Sequence, residues 1–372
     1  MAVSPAVEPQ MEETIISMGP QHPSTHGVLR LVLTLEGEVI TKADPDIGYL
    51  HRGFEKFCEN RTYAQIVPYC DRLDYVAAFS MALTHALASE KLAGLEPPPR
   101  ASYLRVIFAE LQRIASHLVW LGCQGLDLGA WTLFLYCFRE RELIVDLFES
   151  YCGARLTYHA VRIGGMPFDL PEGWVEQARA FLKVMPERLK EYDALFTGNR
   201  IFVARMKGVG MLPREQAINI GCSGPVLRGS GVALDRRKSE PHCVYDQMDF
   251  KIAVEQGCDS LARYLVRMEE MRQSLRIIEQ ALDQLPEGPV MAKVPRVFKP
   301  PAGEAFVRTE APRGDFGVYL VSDGSTKPAR VRFHSPCFRN VAALPYLLKG
   351  WKVADVVAIL GTLDIVLGEI DR

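Results

Sequence analysis

Residues 97–121 read PPPRASYLRVIFAELQRIASHLVWL, and this stretch indicates a chain built mainly of helices. Its apolar residues recur at three- and four-residue intervals, the period of one helix face, after prolines that mark the start of the helix. They are Leu104, Ile107, Phe108, Leu111, Ile114, Leu118 and Leu121. Glu110, Arg113 and His117 fall on another face, where we expect Glu110 and Arg113 to form an ordinary ion pair on the helix surface.

The same periodicity predicts further helices, and alternating apolar residues predict two groups of short strands. The helices are expected at 132–151, 175–196 and 261–282, a hairpin at 27–42, and strands at 306–308, 317–322 and 330–333 after a proline-rich connection at 286–303. This order predicts an α+β fold, with a long central helical bundle, small antiparallel sheets from the N-terminal and C-terminal regions, and a final helix pair. We divide one compact unit into an N-terminal β region (1–60), a helical core (61–285) and a C-terminal region of strands and terminal helices (286–372).

Composition excludes several classes of protein. The 372 residues are 48% hydrophobic and 24% charged, with 43 basic against 45 acidic side chains, so nothing favours nucleic-acid binding. The nine cysteines form no C-x-x-C pair, which argues against a zinc ribbon or a disulfide framework and fits a reducing compartment. The N-terminus lacks the basic and apolar regions of a secretory signal, so we expect no export.

Residues 117–138 come closest to a membrane span, because they are mostly apolar over about the ~20 residues that a bilayer requires. Asp127 lies at the centre of this stretch, between Gly125 and Gly129. A carboxylate is costly in lipid, and the glycines favour a break in a helix. We therefore predict two buried helices that meet at a functional loop.

Residues 18–27, MGPQHPSTHG, place two imidazoles in one short loop before the predicted hairpin. His22 and His26 are four positions apart, but Pro20 and Pro23 argue against the helix that would bring them to one metal ion. A zinc site needs at least three protein ligands, and no Cys, Asp or Glu lies nearby, so we predict no metal site. Alternatively, the two histidines only form hydrogen bonds within a tight turn.

The loop at 18–27 and several other motifs resemble the 49 kDa (D-type) subunit family of respiratory complex I, the proton-pumping NADH:quinone oxidoreductase. The other motifs are IGYLHRGFEK at 47–56, RLDY at 72–75, GLDLGA at 125–130, RIGG at 162–165 and GEIDR at 368–372. The resemblance covers nearly the whole chain. It implies a fold like that of the related large subunits of nickel-iron hydrogenases.

Those hydrogenases hold their metals with two Cys-x-x-Cys pairs, whereas this chain offers only Cys70 at the first position and no thiol in 363–368 at the second. Nickel-iron chemistry is therefore excluded. The cysteines also lack the clustered spacing of an iron-sulfur site, and no dinucleotide or P-loop motif is present. We expect no cluster, flavin or metal bound by this chain alone.

The resemblance implies that quinone is the substrate and that His26 and Tyr75 donate hydrogen bonds and protons to its two oxygens, with Asp127 paired to the histidine. His22 and Arg52 are further candidates, facing the quinone chamber or the iron-sulfur cluster of a neighbouring subunit. The chain departs from the family pattern at Thr157, where many relatives carry a histidine near that cluster. Threonine does not titrate near neutrality, so proton-linked tuning of the cluster is in doubt.

The implied partners are the iron-sulfur small subunit, other peripheral-arm subunits, and a membrane-arm subunit at the quinone entrance. The implied location is peripheral, on the cytoplasmic side of the cell (inner) membrane. Two alternatives stay open: the equivalent subunit of a ferredoxin-fed complex I-like quinone reductase, and a structural paralogue that makes no reactive contact with quinone. The joint presence of His26, Tyr75 and Asp127 argues against the paralogue.

Overall fold

A computed structural model describes residues 13–25 and 27–372 of the chain. The strands are β1 (Glu13–Met18), β2 (Arg30–Glu36), β3 (Val39–Asp46), β4 (Gly303–Ala311), β5 (Gly314–Ser322) and β6 (Arg330–His334). The helices before the second group of strands are α1 (Phe54–Glu59), α2 (Tyr63–Cys70), α3 (Ala78–Ala93), α4 (Pro99–Asp127), α5 (Trp131–Cys152), α6 (Trp174–Tyr192), α7 (Arg200–Met206), α8 (Arg214–Ile220), α9 (Gly224–Arg228), α10 (Arg236–Ser239) and α11 (Ser260–Asp283). Four short helices follow β6: α12 (Pro336–Val341), α13 (Leu344–Leu348), α14 (Val353–Leu363) and α15 (Leu367–Asp371).

Helix α4 is the central element of the bundle. It has 29 residues and packs against α3, α5, α11 and α14. The ring of Phe108, in its middle, lies 4.5 Å from that of Tyr151 and 5.2 Å from that of Trp174, so aromatic contacts join α4, α5 and α6. The helix is therefore surrounded by protein on most sides.

The prediction that Glu110 and Arg113 form a surface pair is wrong, because both side chains are buried. Glu110 also accepts hydrogen bonds from Arg237, Tyr245 and Ser274. The periodicity of the sequence shows that these residues share one face of α4. It does not show that this face contacts charged residues from distant parts of the chain.

His117, on the same polar face, is also buried. Its Nε2 lies 2.8 Å from Glu270 on α11, and Glu270 pairs with Arg228. Arg228 in turn pairs with Glu310 at 2.6 Å. A network of buried charges therefore runs between α4, α9, α11 and β4.

The first sheet has the order β1-β2-β3, all antiparallel, with Met18 opposite Leu31 and Leu33 opposite Ala43. Alternate residues of β2 (Leu31, Leu33 and Leu35) are buried, as the sequence pattern predicts. The predicted hairpin is β2–β3, whereas β1 was not predicted.

The second sheet has the order β4-β5-β6, also antiparallel, and packs on α3. The strands lie where the sequence predicts them. The hydroxyl groups of Thr84 on α3 and Thr309 on β4 are 2.6 Å apart in this interface. The β4–β5 turn carries Arg313 into the interior, where it is buried.

The C-terminal region forms four helices rather than the predicted pair. Their apolar residues share one hydrophobic core with the first sheet, including Leu31, Leu33, Leu344, Ile359 and Leu363. The first sheet and the C-terminal helices thus share a core that is separate from that of the main helical bundle.

The helices predicted at 132–151 and 261–282 are α5 and α11, whereas the short helices α7 to α10 were not predicted. A break between α4 and α5 separates the two helices expected around Asp127, and the helix predicted at 175–196 is α6 followed by a short π-helical turn, Asp193–Thr197. Within residues 13–25 and 27–372, no helix is long and apolar enough to cross a membrane. The α+β class is confirmed: two small three-stranded antiparallel sheets accompany a large helical bundle.

Candidate functional site

Tyr75 lies on the turn between α2 and α3, and the neighbouring carboxylate fixes this turn. Asp74 Oδ1 accepts hydrogen bonds from the backbone N–H groups of Val76 at 3.0 Å and Ala77 at 3.2 Å. An aspartate commonly closes a turn in this way where a helix begins. Tyr75 keeps 38% of its surface exposed. The turn thus holds a phenol at the protein surface on a fixed backbone.

Arg313 connects this turn to the rest of the fold. Its Nη1 donates to Asp74 Oδ2 at 2.7 Å and to Ser116 Oγ at 3.0 Å. Its Nη2 donates to Asp364 Oδ1 at 3.0 Å, and its Nε donates to the Asp364 carbonyl oxygen at 2.9 Å. All four side chains are buried. Arg313 therefore joins the Tyr75 turn to α4 and to the end of α14.

These charges also act on the Tyr75 phenol. Partial burial of the Tyr75 side chain raises the pKa of its phenol above the ordinary value of 10, and the negative charge of Asp74 raises it further. Arg313 and Arg52 oppose it. Tyr75 is therefore held as the neutral phenol, the form that can donate a proton.

The C-terminal residues hold the loop that follows β3. The Asp371 carboxylate accepts hydrogen bonds from the N–H groups of Gly48 at 2.8 Å and Leu50 at 2.7 Å. The N–H of Arg52 donates to the carbonyl oxygen of Arg372 at 3.0 Å. Two of the motifs recognised in the sequence, at 47–56 and 368–372, are thus one structural unit.

Arg52 links that unit to the Tyr75 turn. Its Nη2 donates to the carbonyl oxygens of Arg72 at 3.0 Å and Gly368 at 2.9 Å, and its guanidinium carbon lies 4.2 Å from the centre of the Phe54 ring. A Cβ on Gly368 would lie 2.5 Å from the carbonyl oxygen of Leu73, so only glycine allows this close approach. Arg52 is therefore beside Tyr75, fixed by backbone acceptors.

The histidine-rich loop connects β1 to β2 and is closed by Thr25. The buried Thr25 hydroxyl donates to the carbonyl oxygen of His22 at 2.8 Å, and the loop packs against α14. A Cβ on Gly27 would lie 3.4 Å from the Leu367 side chain, which places the loop next to α15 as well. His22 is exposed. His26 lies outside the described residues, so its assignment stays a prediction.

Asp127 is the last residue of α4 and is half-buried. One turn earlier on the same helix, the Cys123 thiol interacts electrostatically with Asp127, Asp364 and Arg313, and its pKa is raised to about 11, chiefly by burial. The end of α4 therefore lies beside the same charged cluster that holds Tyr75.

The cavity of about 470 Å³ near this region is lined by residues of the loop after β3, β6 and the C-terminus, among them Gly48, His51 and Asp371, but not by Tyr75 or Asp127. Tyr75, with 38% of its surface exposed, lies outside this cavity.

In the described part of the chain, no group of three or more His, Cys, Asp or Glu residues is arranged to hold a metal ion.

The segment after Thr157 leads to His159, whose backbone N–H donates to Asp71 Oδ2 at 2.6 Å. Burial raises the pKa of the Asp71 carboxyl to about 7. Arg162, which is close to both, has its pKa lowered by burial.

The RIGG motif at 162–165 has a clear structural role. The N–H of Gly164 donates to Glu90 Oε1 at 2.7 Å, and Arg105 donates to the carbonyl oxygen of Gly165 at 3.2 Å. A Cβ on Gly165, whose φ is 154°, would lie 2.1 Å from the carbonyl oxygen of Val290. The motif thus anchors the connection before β4 to the buried Glu90–Arg105 pair.

No role is predicted from the sequence for Arg313, Asp364 or Glu369, although the structure groups them around Asp74. Arg313 is 239 positions from Asp74 and 51 from Asp364. The available signal was indirect: an arginine in a tight turn between two apolar strands, and acidic residues within an apolar C-terminal stretch. Neither pattern specifies a partner.

Comparison with known proteins identifies the family. The model of the respiratory-chain NADH dehydrogenase 49 kDa subunit matches residues 127–300 and 293–372. The chain belongs to this family. The 49 kDa family assignment agrees with the resemblance recognised from the motifs, two of which, at 162–165 and 368–372, lie in the matched ranges.

Three curated relatives, each named as a D-type subunit of an NADH-quinone oxidoreductase, are similar to this chain over nearly their whole length. The relative from Solibacter usitatus, the second such subunit of that organism, is 55% identical over 360 residues, 97% of either chain. The relative from Desulforamulus reducens is 54% identical over 97% of this chain and 98% of its own. The relative from Geobacillus kaustophilus is 54% identical over the same shares.

Proposed function

We propose that this chain is the D-type subunit of an NADH-quinone oxidoreductase and forms one side of its quinone-reduction site. The observation that carries the proposal is the Tyr75 turn: a partly exposed phenol whose backbone is fixed by the buried Asp74–Arg313 pair and by the C-terminal residues. Relatives named as the same subunit of NADH-quinone oxidoreductase, more than half identical to this chain, support the same function.

The proposed chemistry is the two-electron, two-proton reduction of a quinone to a quinol. Electrons enter from an iron-sulfur cluster in the adjacent small subunit, and negative charge develops on the two quinone oxygens. Tyr75 donates a hydrogen bond, then its proton, to one oxygen, and His26 does the same at the other. Asp127 holds the histidine in one tautomer and stabilises its charged form.

Arg52 contributes a fixed positive charge beside the phenol. Burial lowers the pKa of the Arg52 guanidinium, and the nearby Tyr75 and Asp371 partly offset this effect. The Arg52 cation and the Tyr75 phenol therefore interact electrostatically. Such a charge stabilises the tyrosinate that remains after proton donation. His22 is exposed on the loop before His26, where we propose that it lines the chamber.

The partial exposure of Tyr75, outside the cavity near the C-terminus, supports a site completed by other subunits. We propose that the iron-sulfur small subunit covers it, with other peripheral-arm subunits nearby and a membrane-arm subunit at the quinone entrance. The chain would then lie at the cytoplasmic side of the membrane as a peripheral subunit. The ferredoxin-fed alternative is not favoured, since the curated relatives carry NADH-quinone names.

Tyr75→Phe tests the proposal in membranes that contain the assembled enzyme. Removing the hydroxyl should reduce inhibitor-sensitive quinone reduction by on the order of 100-fold or more, the usual contribution of a positioned proton donor. Reduction of an artificial acceptor that takes electrons upstream of the quinone should remain.

The matched control is Tyr346→Phe, which removes a hydroxyl from another exposed tyrosine, on α13. It should change neither activity. Full quinone reduction by Tyr75→Phe would contradict the proposal, and loss of both activities would indicate failed assembly rather than a missing proton donor.

A further inference from the structure

The second sheet displays a row of three side chains on one of its faces. Val331 and Phe333 of β6 belong to the main hydrophobic core, so Arg332 between them lies on the opposite face. On that face Phe306 of β4 is opposite Tyr319 of β5, and Tyr319 is opposite Arg332. Phe306 is 43% exposed, and Arg332 is exposed as well. An aromatic ring, a phenol and a guanidinium are thus side by side across three strands.

A cavity of about 230 Å³ lies on this row and is lined by Phe306, Tyr319, Arg332 and His334. The Phe306 ring lies across Gly317, since a Cβ at Gly317 would be 2.8 Å from the edge of that ring. The same ring meets the His334 ring edge to face, with the ring centres 6.4 Å apart. The absence of a side chain at Gly317 therefore lets Phe306 lie on the sheet and form one wall of the cavity.

Arg332 also borders the larger cavity of about 470 Å³ beside the C-terminus. The apolar part of this larger cavity comes from Ile47, Ile370 and Phe338, and Phe338 is 42% exposed. The guanidinium carbon of Arg372 lies 4.9 Å from the centre of the Phe338 ring. Two cavities with apolar walls therefore meet at one cation. We call this continuous surface, the two cavities and Arg332 between them, the Arg332 groove.

Arg332 differs from the other cations of the groove. In the part of the chain that the structure describes, its side chain forms no ion pair and no hydrogen bond. The other cations of the larger cavity have partners: Lys56 faces Glu59, Arg330 faces Glu55 and Glu59, Arg372 faces Glu55, and His51 lies 2.6 Å from the Asp371 carbonyl oxygen. The guanidinium between the two cavities is thus left for an acceptor from outside the chain.

The carboxylates along the groove are held by other groups. Those of Asp371 accept the N–H groups of Gly48 and Leu50. Glu55 accepts the N–H of Phe333 at 3.0 Å, and Glu304, on the same face as Phe306, accepts the Tyr319 hydroxyl at 2.5 Å. A guanidinium between two apolar cavities is complementary to a carboxylate that has an apolar side chain on either side of it.

The edge of the sheet decides how a peptide could lie here. Addition of a strand to β6 is blocked at Phe333, because its N–H donates to Glu55 and its carbonyl oxygen accepts from Arg372 at 2.9 Å. A segment in the groove would instead cross the strands along the exposed row. Strands are about 4.8 Å apart, so Phe306 and Arg332 are separated by about 10 Å, the length of about three extended residues.

We propose that the Arg332 groove binds an extended, acidic and apolar segment of another subunit of the enzyme. An Asp or Glu of the segment pairs with Arg332. One apolar or aromatic side chain, about three residues away, fills the cavity beside Phe306, and another fills the cavity beside Phe338. Exposed aromatic rings next to an arginine are the side chains that dominate many protein–protein interfaces. The inference rests on the proposed place of this chain in a multi-subunit enzyme, but not on the chemistry at Tyr75.

Photocross-linking in the assembled enzyme tests the proposal. p-Benzoylphenylalanine replaces Phe306 in one variant and Phe338 in a second, and the cross-linked peptides are identified by mass spectrometry. Both positions should cross-link to one segment of one other subunit, with an Asp or Glu between the two points of attachment. The control position is Phe168, which is 57% exposed on the connection before α6 and should not cross-link to that segment.

Arg332→Glu tests the charge in the same two cross-linking variants. Because like charges repel across an interface, the cross-link yield should fall by about tenfold or more at both positions. Replacing the acidic residue of the other subunit's segment by Lys should restore the yield. Lys183→Glu, at an exposed position of α6, is the matched control and should not change the yield. If Arg332→Glu prevents assembly, Arg332→Gln, which only removes the charge, should lower the yield instead.

The proposal is overturned if the two positions cross-link to different subunits, to a second copy of this chain, to lipid, or to no other molecule. It is also overturned if the cross-link yield is the same with and without the charge of Arg332. These outcomes are distinct from failure of the proposed function. Absence of this chain from the purified enzyme, or full quinone reduction by Tyr75→Phe, would contradict the proposed function, whereas the cross-links report only on the groove.

Discussion

Replacing Glu110 by alanine should destabilise the chain strongly, because this carboxylate is the centre of a buried charge network. Its oxygens accept hydrogen bonds from Arg113 at 3.1 Å, Arg237 at 3.0 Å, Tyr245 at 2.7 Å and Ser274 at 2.6 Å. Alanine would leave two guanidiniums and two hydroxyl groups without this acceptor in the interior.

The structure gives a magnitude for this effect. Burial alone would raise the pKa of the Glu110 carboxyl, but Arg113 and Arg237 outweigh it and lower the pKa from 4.5 to about 2. At ~1.36 kcal/mol per pKa unit, the ionised form gains about 3 kcal/mol from folding. Removing one partner of a buried ion pair costs about 3–5 kcal/mol in other proteins, so we expect a loss in this range.

The sign of the pH dependence follows from the same shift. Because the folded-state pKa lies below the unfolded value, the stabilisation by Glu110 is fully present above pH 4.5 and is lost as the pH falls towards 2. Glu110→Ala should therefore lower the free energy of unfolding at neutral pH. It should also make the free energy of unfolding depend less steeply on pH in the acid range.

The assay is urea unfolding of the full-length chain, followed by the fluorescence of the buried Trp120 and Trp174. The matched control is Glu142→Ala, which removes a partly exposed carboxylate that pairs with Arg155 and should cost about 0–1 kcal/mol. A loss below about 1 kcal/mol for Glu110→Ala would refute the reasoning, since only an exposed helix pair is worth so little.

Three further predictions concern other parts of the fold. Gly165→Ala should prevent correct packing of the connection before β4, because the new Cβ would lie 2.1 Å from the Val290 carbonyl oxygen. The control is Gly173→Ala, which is also at positive φ but has open space around it. This control should lower the free energy of unfolding in urea by only about 1 kcal/mol. Gly368→Ala should displace Arg52 and lower quinone reduction in membranes more than upstream acceptor reduction, and equal rates would contradict this. Burial lowers the pKa of His85 to about 4, so the free energy of unfolding should fall by about 3 kcal/mol as the pH falls from 6.5 to 4. The free energy of unfolding of His85→Asn should depend less steeply on pH over this range. Identical slopes for the two proteins would argue against a neutral buried His85.

Much of the fold could be predicted from the sequence because its main elements have strong periods. The apolar stripe of α4 and the alternating leucines of β2 each specify one element without help from the rest of the chain. Strand β1 was missed because it is mostly exposed at the sheet edge, so its residues do not alternate between buried and exposed positions.

The charged interior could not be predicted because its partners are far apart in the chain. The polar stripe of α4 looks the same in sequence whether it faces water or, as here, Arg237 and Glu270. The surroundings of Tyr75 likewise depend on Arg313 and on the C-terminal residues, which only the folded chain brings to the turn. Tyr75 and Asp127 were chosen by resemblance to a family, and their roles stay proposals.

The most direct test of the quinone site is photolabelling of the assembled enzyme with a photoreactive quinone analogue, followed by mapping of the labelled peptides. The proposed site predicts label on this chain in a peptide that contains Tyr75, Asp127 or His26, and loss of that label when a quinone-site inhibitor is present. Label confined to other subunits, or to peptides of this chain that contain none of these three residues, would contradict it.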